Sequence, residues 1–583
     1  MTDPISGNGQ AQLGPDQRAT AWQRLGSEQF DVVVIGGGVV GSGAALDAAT
    51  RGLRVALVEA RDFASGTSSR SSKMFHGGLR YLEQLEFGLV REALHERELS
   101  LTTLAPHLVK PLPFLFPLTK RLWERPYVAA GIFLYDQLGG AKSVPPQKHL
   151  LKAGALRLAP GLKRSSLIGG IRYYDTVVDD ARHTMTVART AAHYGAVVRT
   201  STQVVALLRE GDRVTGVKVR DSENGAVTEV RGHVVVNATG VWTDEIQALA
   251  KERGRFRVRA SKGVHIVVPR DRVVSEVAII LRTEKSVLFV IPWGTHWIIG
   301  TTDTDWNLDL AHPAATKADI DYILGHVNTV LATPLTHDDI DGVYAGLRPL
   351  LAGESEETSK LSREHAVAVP SPGLVAIAGG KYTTYRVMGA DAIDAAAEFV
   401  PTRVAPSITE KVPLMGADGY FALVNQTEHV GRHYGLHPYR VRHLLDRYGS
   451  LIGEVLAMAS PDGVVQPELL EPITAAPVYL KVEAVYAAAA EGALHLEDIL
   501  ARRMRISIEY PHRGVDCAAE VAEVVAPVLG WSAADVDREV RTYLARVEAE
   551  VQSQTQPDDT SADALRAAAP EARAEILEPV PLN

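Results

Sequence analysis

A chain of 583 residues is too long for a single hydrophobic core, so two or more domains are expected. Its 46% apolar and 22% charged residues are ordinary for a folded globular protein, and 61 basic against 70 acidic side chains leave a net charge of −9. That balance gives a nucleic-acid role no support, and the single cysteine, Cys517, excludes an intrachain disulfide and a multi-cysteine metal site while fitting a reducing compartment.

Residues 1–28 are polar, lack an apolar signal core and read as a flexible arm. An uninterrupted apolar run long enough to span a bilayer does not occur, so membrane contact, if present, is peripheral. "FDVVVIGGG" predicts a fully apolar strand that breaks into glycines, "VVGSGAALDAATRG" a small-residue helix, and "LRVALVE" a second strand. This βαβ unit opens a doubly wound sheet. Gly36, Gly38 and Gly41, with Gly37 between them, form the turn fingerprint that lets backbone approach a pyrophosphate at a helix N-terminus. Glu59 ends the second strand, where a carboxylate suits a ribose diol, and Ala60 follows it. The plainer alternative is a glycine turn that binds nothing. Agreement of strand, glycines, helix, strand and acid favours a dinucleotide.

The segment after Glu59, "RDFASGTSSRSSK", is dense in hydroxyls and small residues. Ser65, Gly66, Thr67, Ser68, Ser69, Ser72 and Lys73 are candidates for cofactor phosphates and ribityl oxygens, against the alternative of a solvated loop. "FHGGLRY" follows with His76, Gly77, Gly78, Arg80 and Tyr81, then leucines at helical spacing to residue 104. "TKRLWERPYVAAGIFLYDQLGG" mixes Lys120, Arg121 and Arg125 with Trp123, Tyr127, Phe133 and Tyr135, as an interfacial segment would. A buried core role for these aromatics competes with that reading, and the arm around Trp22 is a second candidate.

Residues 197–236 read as strands, Val204 among the cofactor candidates. They end in "HVVVNATG", a buried strand that delivers Ala238, Thr239 and Gly240, with Trp242 just beyond. Residues 255–350 mix strands and loops and carry His265 in "KGVHIVVP" and Arg348 in "YAGLRPL". In "IGTTDTD", Thr302 and Asp303 suit a ligand or a local turn equally. "SREH" carries Arg363, and "AIAGGKYTTYR" repeats strand, glycine turn and helix with Gly380, Lys381 and Thr383. From about 412 the text is helical, and 552–583 reads as a polar, poorly ordered tail. The expected division is therefore 1–28, 29–411, 412–551 and 552–583. "SREH" and "DDARH" lack metal-ligand spacing, and no metal is predicted. The extra donor-rich segments around the fingerprint suit a long, buried cofactor, which points to FAD.

Taken together, "HGGLRYLE", "VVNATGVW", "KGVHIVVP", "YAGLRPL" and "GGKYTTYR" resemble, in family order from about 30 to 400, the respiratory FAD-dependent glycerol-3-phosphate dehydrogenases of bacteria. The resemblance implies a Rossmann-type FAD-binding domain of the glutathione-reductase/D-amino-acid-oxidase kind, an interleaved β-rich substrate domain and an α-helical C-terminal domain. It implies oxidation of glycerol 3-phosphate to dihydroxyacetone phosphate, noncovalent FAD and a membrane quinone as acceptor. The implied location is cytoplasmic, on the inner face of the membrane through peripheral lipid contact, with room for a homodimer. Phosphate recognition falls to Arg80, Arg348, Arg363 and Lys381, with Tyr81 beside them, since guanidinium forks and a lysine suit a dianion. The C2 hydroxyl needs a base, with His76 and His265 as candidates and Arg348 alongside; the glycine turn after His76 favours it. His76, Gly77, Gly78 and Lys381 also border the expected flavin. Alternatives are an oxygen-using glycerol-3-phosphate oxidase, an amine or 2-hydroxy-acid oxidase of the same flavin fold, and a flavin-bound regulatory protein.

Overall fold

The computed structural model describes residues 11–573 except 83–84, 120–123, 140–142, 251–256, 284–286, 353–363 and 461–465. The run QFDVVVI forms β1 (Gln29–Ile35), with its last four residues buried. Burial on both faces is characteristic of a central parallel strand covered by helices. β1 lies between β2 (Val55–Val58) and the strand Val227–Asn237, parallel to both. Val197–Arg199 extends the parallel set past β2, and Leu374–Gly379 extends it on the other side. His365–Ser371 closes that edge antiparallel.

The helix Val39–Thr50 connects β1 to β2 and buries most of its small side chains. It crosses the helix Tyr385–Ala397 so closely that a Cβ on Gly389 would lie 2.8 Å from the backbone of Gly43 and Ala44. Small residues thus set the spacing that folds the "GGKYTTYR" segment back onto the nucleotide unit.

A second, ten-stranded sheet is built from segments interleaved with the first. In it Val258–Pro269 pairs antiparallel with Gly342–Leu351, in register from Val258↔Leu351 to Val267↔Gly342. Alternate residues of a strand share a face. Ser261, Gly263 and His265 therefore share one face with their partners Arg348, Gly346 and Tyr344. The opposite face sends Val264, Ile266 and Val268 into a core with the helix Lys317–Val327.

Beyond residue 412 the chain is mainly helical and carries two apolar cores of its own. Its contact with the nucleotide unit is a buried charge network. Asp62 receives Arg502 at 2.6 Å and Arg503 at 2.7 Å, and Arg182 meets Glu491 at 2.7 Å. Removing one partner of such a network strands a buried charge. Asp62→Ala should accordingly destabilise the protein by about 3–5 kcal/mol in denaturant titration. An effect below about 1 kcal/mol would place this network among pairs that add nothing.

Two expectations need correction. The arm is helical over Pro15–Ser27, with Ala21 and Leu25 buried against β1 and its neighbours. Arg18 bonds Asp221 at 3.1 Å, and the Arg199 guanidinium lies 4.5 Å over the Trp22 ring. The polar composition hid a stripe only two residues wide. The tail is also packed over its described part: Asp559–Ala568 is a helix capped by Asp558. Ala562 is buried with Trp306 and Leu347, and Arg573 reaches Asp498 at 3.0 Å. A polar composition signals disorder only when the charges stay solvated, and these arginines have buried partners.

Candidate active site

β1 is followed by Gly36, at φ +109°, where a Cβ would come within 2.7 Å of the Ala238 carbonyl oxygen. A Cβ on Gly41 would lie 1.9 Å from the Gly36 carbonyl oxygen. These two glycines therefore let strand, turn and helix close on one another. Gly38 differs: its Cβ would meet only the Ser68 hydroxyl, at 3.3 Å. The space above Gly38 opens into a cavity of about 440 Å³, within the ~300–1,000 Å³ of small-molecule sites.

Glu59 stands at the tip of β2, accepting the Gly37 N–H at 2.6 Å and the Arg61 N–H at 2.8 Å. Burial raises its pKa, while these backbone donors oppose that shift. A carboxylate offers about four acceptor positions, so two remain for a diol. The lining continues through Ala60 and Val204, then Ser65, Gly66, Thr67 and Ser68, and across to Ala238, Thr239, Gly240 and Trp242. The Trp242 ring approaches the position of a Gly66 Cβ to 2.9 Å and walls that side. The Thr67 hydroxyl donates to the Leu347 carbonyl at 2.6 Å, and Ser68 Oγ accepts the Val39 N–H at 3.0 Å. This donor set, with an open backbone turn and a free carboxylate edge, fits a dinucleotide.

Cationic groups line the same cavity. Arg348 donates from Nη2 to Thr301 Oγ1 at 3.0 Å and to the Thr302 carbonyl at 3.1 Å, and from Nη1 to Ser261 Oγ at 3.3 Å. Its guanidinium folds over Gly263, where a Cβ would sit 2.6 Å from Nη2. Asp303 lies 3.5 Å from Arg348 and accepts from the Ser261 hydroxyl. Thr302 Oγ1 accepts the Val264 N–H at 2.9 Å. Thr302 and Asp303, ambiguous in sequence, thus support the guanidinium. Lys381 places its ammonium 3.8 Å from the Tyr81 ring centroid, and Gly380 and Thr383 flank it on the lining.

Both histidines line the cavity. His265 is buried, its Nε2 lies 2.8 Å from Ser72 Oγ, and its ring stacks on Tyr344 at 4.8 Å and 12°. Burial, then Arg348 and Lys73, holds its pKa well below the usual imidazole value. His76 is half-buried, and its backbone is pinned by Thr383 Oγ1 at 3.2 Å.

Several predicted residues stand elsewhere. Lys73 is fully buried, with its ammonium bonded to Asp180 at 2.9 Å and to the Ser69 carbonyl at 3.0 Å, so it is not available to the cofactor. Ser69 is buried outside the cavity lining. Gly37 packs on Glu59 and Phe63, and Gly77 on Leu94 and Tyr135, behind the cavity. The Arg80 side chain and Arg363 lie outside the described residues. Sequence reading missed Ser261, Gly263 and Tyr344, whose signal was the period-two spacing around His265 and Arg348, and Thr301, which adjoins Thr302 in "IGTTDTD". It also missed Glu245, a lining carboxyl raised by burial to about 7, for which no signal was present. His183 is buried and meets the Tyr382 hydroxyl at 3.0 Å.

Comparison with known proteins bears on these features. A model described as "FAD dependent oxidoreductase" matches residues 31–386, and "C-terminal domain of alpha-glycerophosphate oxidase" matches 407–536. Glycerol-3-phosphate dehydrogenase 2 of Mycobacterium tuberculosis is 86% identical over 98% of this chain and 97% of its own. The mitochondrial glycerol-3-phosphate dehydrogenase of Homo sapiens is 35% identical over 89% of this chain and 73% of its own. The crystal structure of glycerol-3-phosphate dehydrogenase from Bacillus halodurans complexed with FAD superposes with a TM-score of 0.77 at 28% identity, covering 94% of this chain and 99% of that one.

Proposed function

Since the chain belongs to the family of FAD-dependent glycerol-3-phosphate dehydrogenases, we propose that it oxidises sn-glycerol 3-phosphate at C2 to dihydroxyacetone phosphate and delivers the electrons to a membrane quinone. The observation that carries the substrate assignment is that Arg348, oriented by three hydrogen-bond partners, and Lys381 line the same cavity. FAD supplies the acceptor for the C2 hydride. Gly36, Gly38, Ser65, Thr67 and Ser68 would hold its phosphates and ribityl chain, Glu59, Ala60 and Val204 its adenosine end, and Thr239, Gly240, Trp242, Gly380 and Thr383 its remaining surface.

Arg348 holds the substrate phosphate as a charge-assisted fork and Lys381 adds a point charge. Arg80 and Arg363 are assigned to the same phosphate on motif grounds. His265 takes the C2 hydroxyl proton through the Ser72 hydroxyl, which gives its own proton to Nε2 as it accepts the substrate's. It lies two residues along the strand from Gly263, over which the Arg348 guanidinium folds. Two strand residues span about 7 Å, which matches a phosphate on Arg348 and a C2 hydroxyl at the imidazole. Its depressed pKa keeps it neutral and able to accept a proton. A phosphate dianion on Arg348 offsets one of the two charges depressing it, so the base strengthens as substrate binds. His76, favoured by its glycine turn, becomes a wall of the cavity in this reading.

Glycerol 3-phosphate should bleach the flavin anaerobically, whereas glycerol should not. Reoxidation by a soluble quinone should then outpace reoxidation by oxygen. The reverse order would assign the oxidase reading.

Quinone reduction requires contact with lipid. Among the described residues no helix is long and apolar enough to cross a membrane. The helix Glu124–Gly139 exposes Tyr127, Phe133 and Leu134, and on the segment it packs beside, Leu85 and Phe87 are also exposed. A cluster of this kind suits an interfacial anchor. Tyr135 is instead buried and bonds Asp175 at 2.7 Å, and Arg125 bonds the Leu150 carbonyl at 3.1 Å. Lys120, Arg121 and Trp123 lie outside the described residues. The protein should float with anionic liposomes, and Tyr127→Ser with Phe133→Ser should release it while dye-linked activity survives. Undiminished flotation of that double variant would remove this surface from consideration.

A further inference from the structure

Behind the hydroxyl-rich loop lies a second cavity of about 90 Å³, well above the ~10–15 Å³ a water requires. Six guanidinium groups line it: Arg70, Arg502, Arg505, Arg513, Arg546 and Arg566. Among the described residues two carboxylates do, Glu497 and Glu550. Burying so many charges is tolerable only if each is paired. Arg505 is neutralised from outside by Asp179 at 3.0 Å, and Arg546 by Glu571 at 3.0 Å. Arg502 has Asp62 at 2.6 Å.

The remaining three are under-supplied. Arg513 and Arg566 share one carboxylate, Glu550, at 2.7 and 2.9 Å. Each also has a buried Nε without a hydrogen-bond partner among the described residues. Arg70 donates to a carbonyl, that of Ala311, at 3.1 Å. Burial and the charge of Arg566 push its pKa down to about 10, despite Glu497 and Glu550. Two buried guanidiniums on one carboxylate, lining a cavity with unused donors, are what a bound anion would balance.

We propose that this cavity is a second anion site. It takes a compact oxyanion, either free phosphate or the phosphoryl group of a phosphomonoester. Arg70 lines both cavities, and its backbone packs where a Cβ on Gly346 would sit, two residues from Arg348. Occupancy of the second site is therefore felt at the flavin. This inference does not depend on which reaction the first cavity performs.

The test uses holoenzyme carrying Arg348→Ala, which removes the principal anion contact of the first cavity. Calorimetric titration with inorganic phosphate should show one saturable site, accompanied by a shift of the flavin absorption bands. Arg566→Gln should weaken that site by about tenfold or more. Ala501→Leu, at a lining position, should abolish it by filling the space without changing charge. Flavin content equal to the parent shows that each variant is folded. Phosphoglycolate binding tighter than phosphate assigns the phosphomonoester, and weaker or equal binding assigns free phosphate. Absence of saturable binding in the parent, or unchanged affinity in Ala501→Leu, overturns the site. Saturation without a spectral shift overturns its coupling to the flavin.

Discussion

His265→Ala is expected to slow flavin reduction by roughly 10²–10⁴-fold, the usual contribution of a positioned general base, while substrate affinity changes far less. His76→Ala, prepared alongside, should affect the rate much less. The pH dependence gives a second reading. In the free protein burial, Arg348 and Lys73 hold the His265 pKa well below 6.5. A base must be unprotonated to act, so kcat/KM should stay level down to mildly acidic pH and fall only as pH drops through that low value. With a phosphate dianion on Arg348 the pKa rises, so kcat should begin to fall at a higher pH than kcat/KM. Loss of reduction rate in His76→Ala with His265→Ala unaffected would transfer the role to His76.

Arg348→Ala should raise the dissociation constant for glycerol 3-phosphate by roughly 10- to 150-fold, equivalent to about 1.5–3 kcal/mol for hydrogen bonds to a charged group. Flavin content should be unchanged, because Arg348 contacts Thr301, Thr302 and Ser261 rather than the glycine turn. Arg348→Lys should restore only part of the loss, since an ammonium cannot reproduce the planar fork. Equal turnover of glycerol and glycerol 3-phosphate by the unmodified protein would remove the phosphate role altogether.

The nucleotide unit was legible in the sequence because its information is local. Gly36 and Gly41 are each dictated by backbone atoms a few residues away or on the next strand, and the apolar run of β1 announces a strand buried on both faces. Motif matching named Arg348, Lys381 and His265, which line one cavity, for a similar reason, since each lies in a short segment with a fixed shape. Local text could not say what a side chain meets at a distance. Lys73 sits among hydroxyls in the sequence, yet Asp180, 107 residues away, takes its ammonium at 2.9 Å. The arm and the tail failed in the same way. Leu25 and Ala562 lie in polar stretches, and only the clusters they join, with Phe30 for one and Leu347 for the other, make them core.

By itself, then, the sequence determined the dinucleotide turn, the family and the residue types able to bind a phosphate and take a proton. Tertiary structure decided how those groups are shared out. The antiparallel register of Val258–Pro269 with Gly342–Leu351 puts His265 and Arg348 on one face, and Ser72 fixes the imidazole from another strand's end. It also decided which charges are spent: Lys73 on Asp180, Arg502 on Asp62, and Arg70 on the Ala311 carbonyl. The physical reason is that burial makes an unpaired charge costly, so the fate of each ionic group depends on partners that only the folded chain brings within reach.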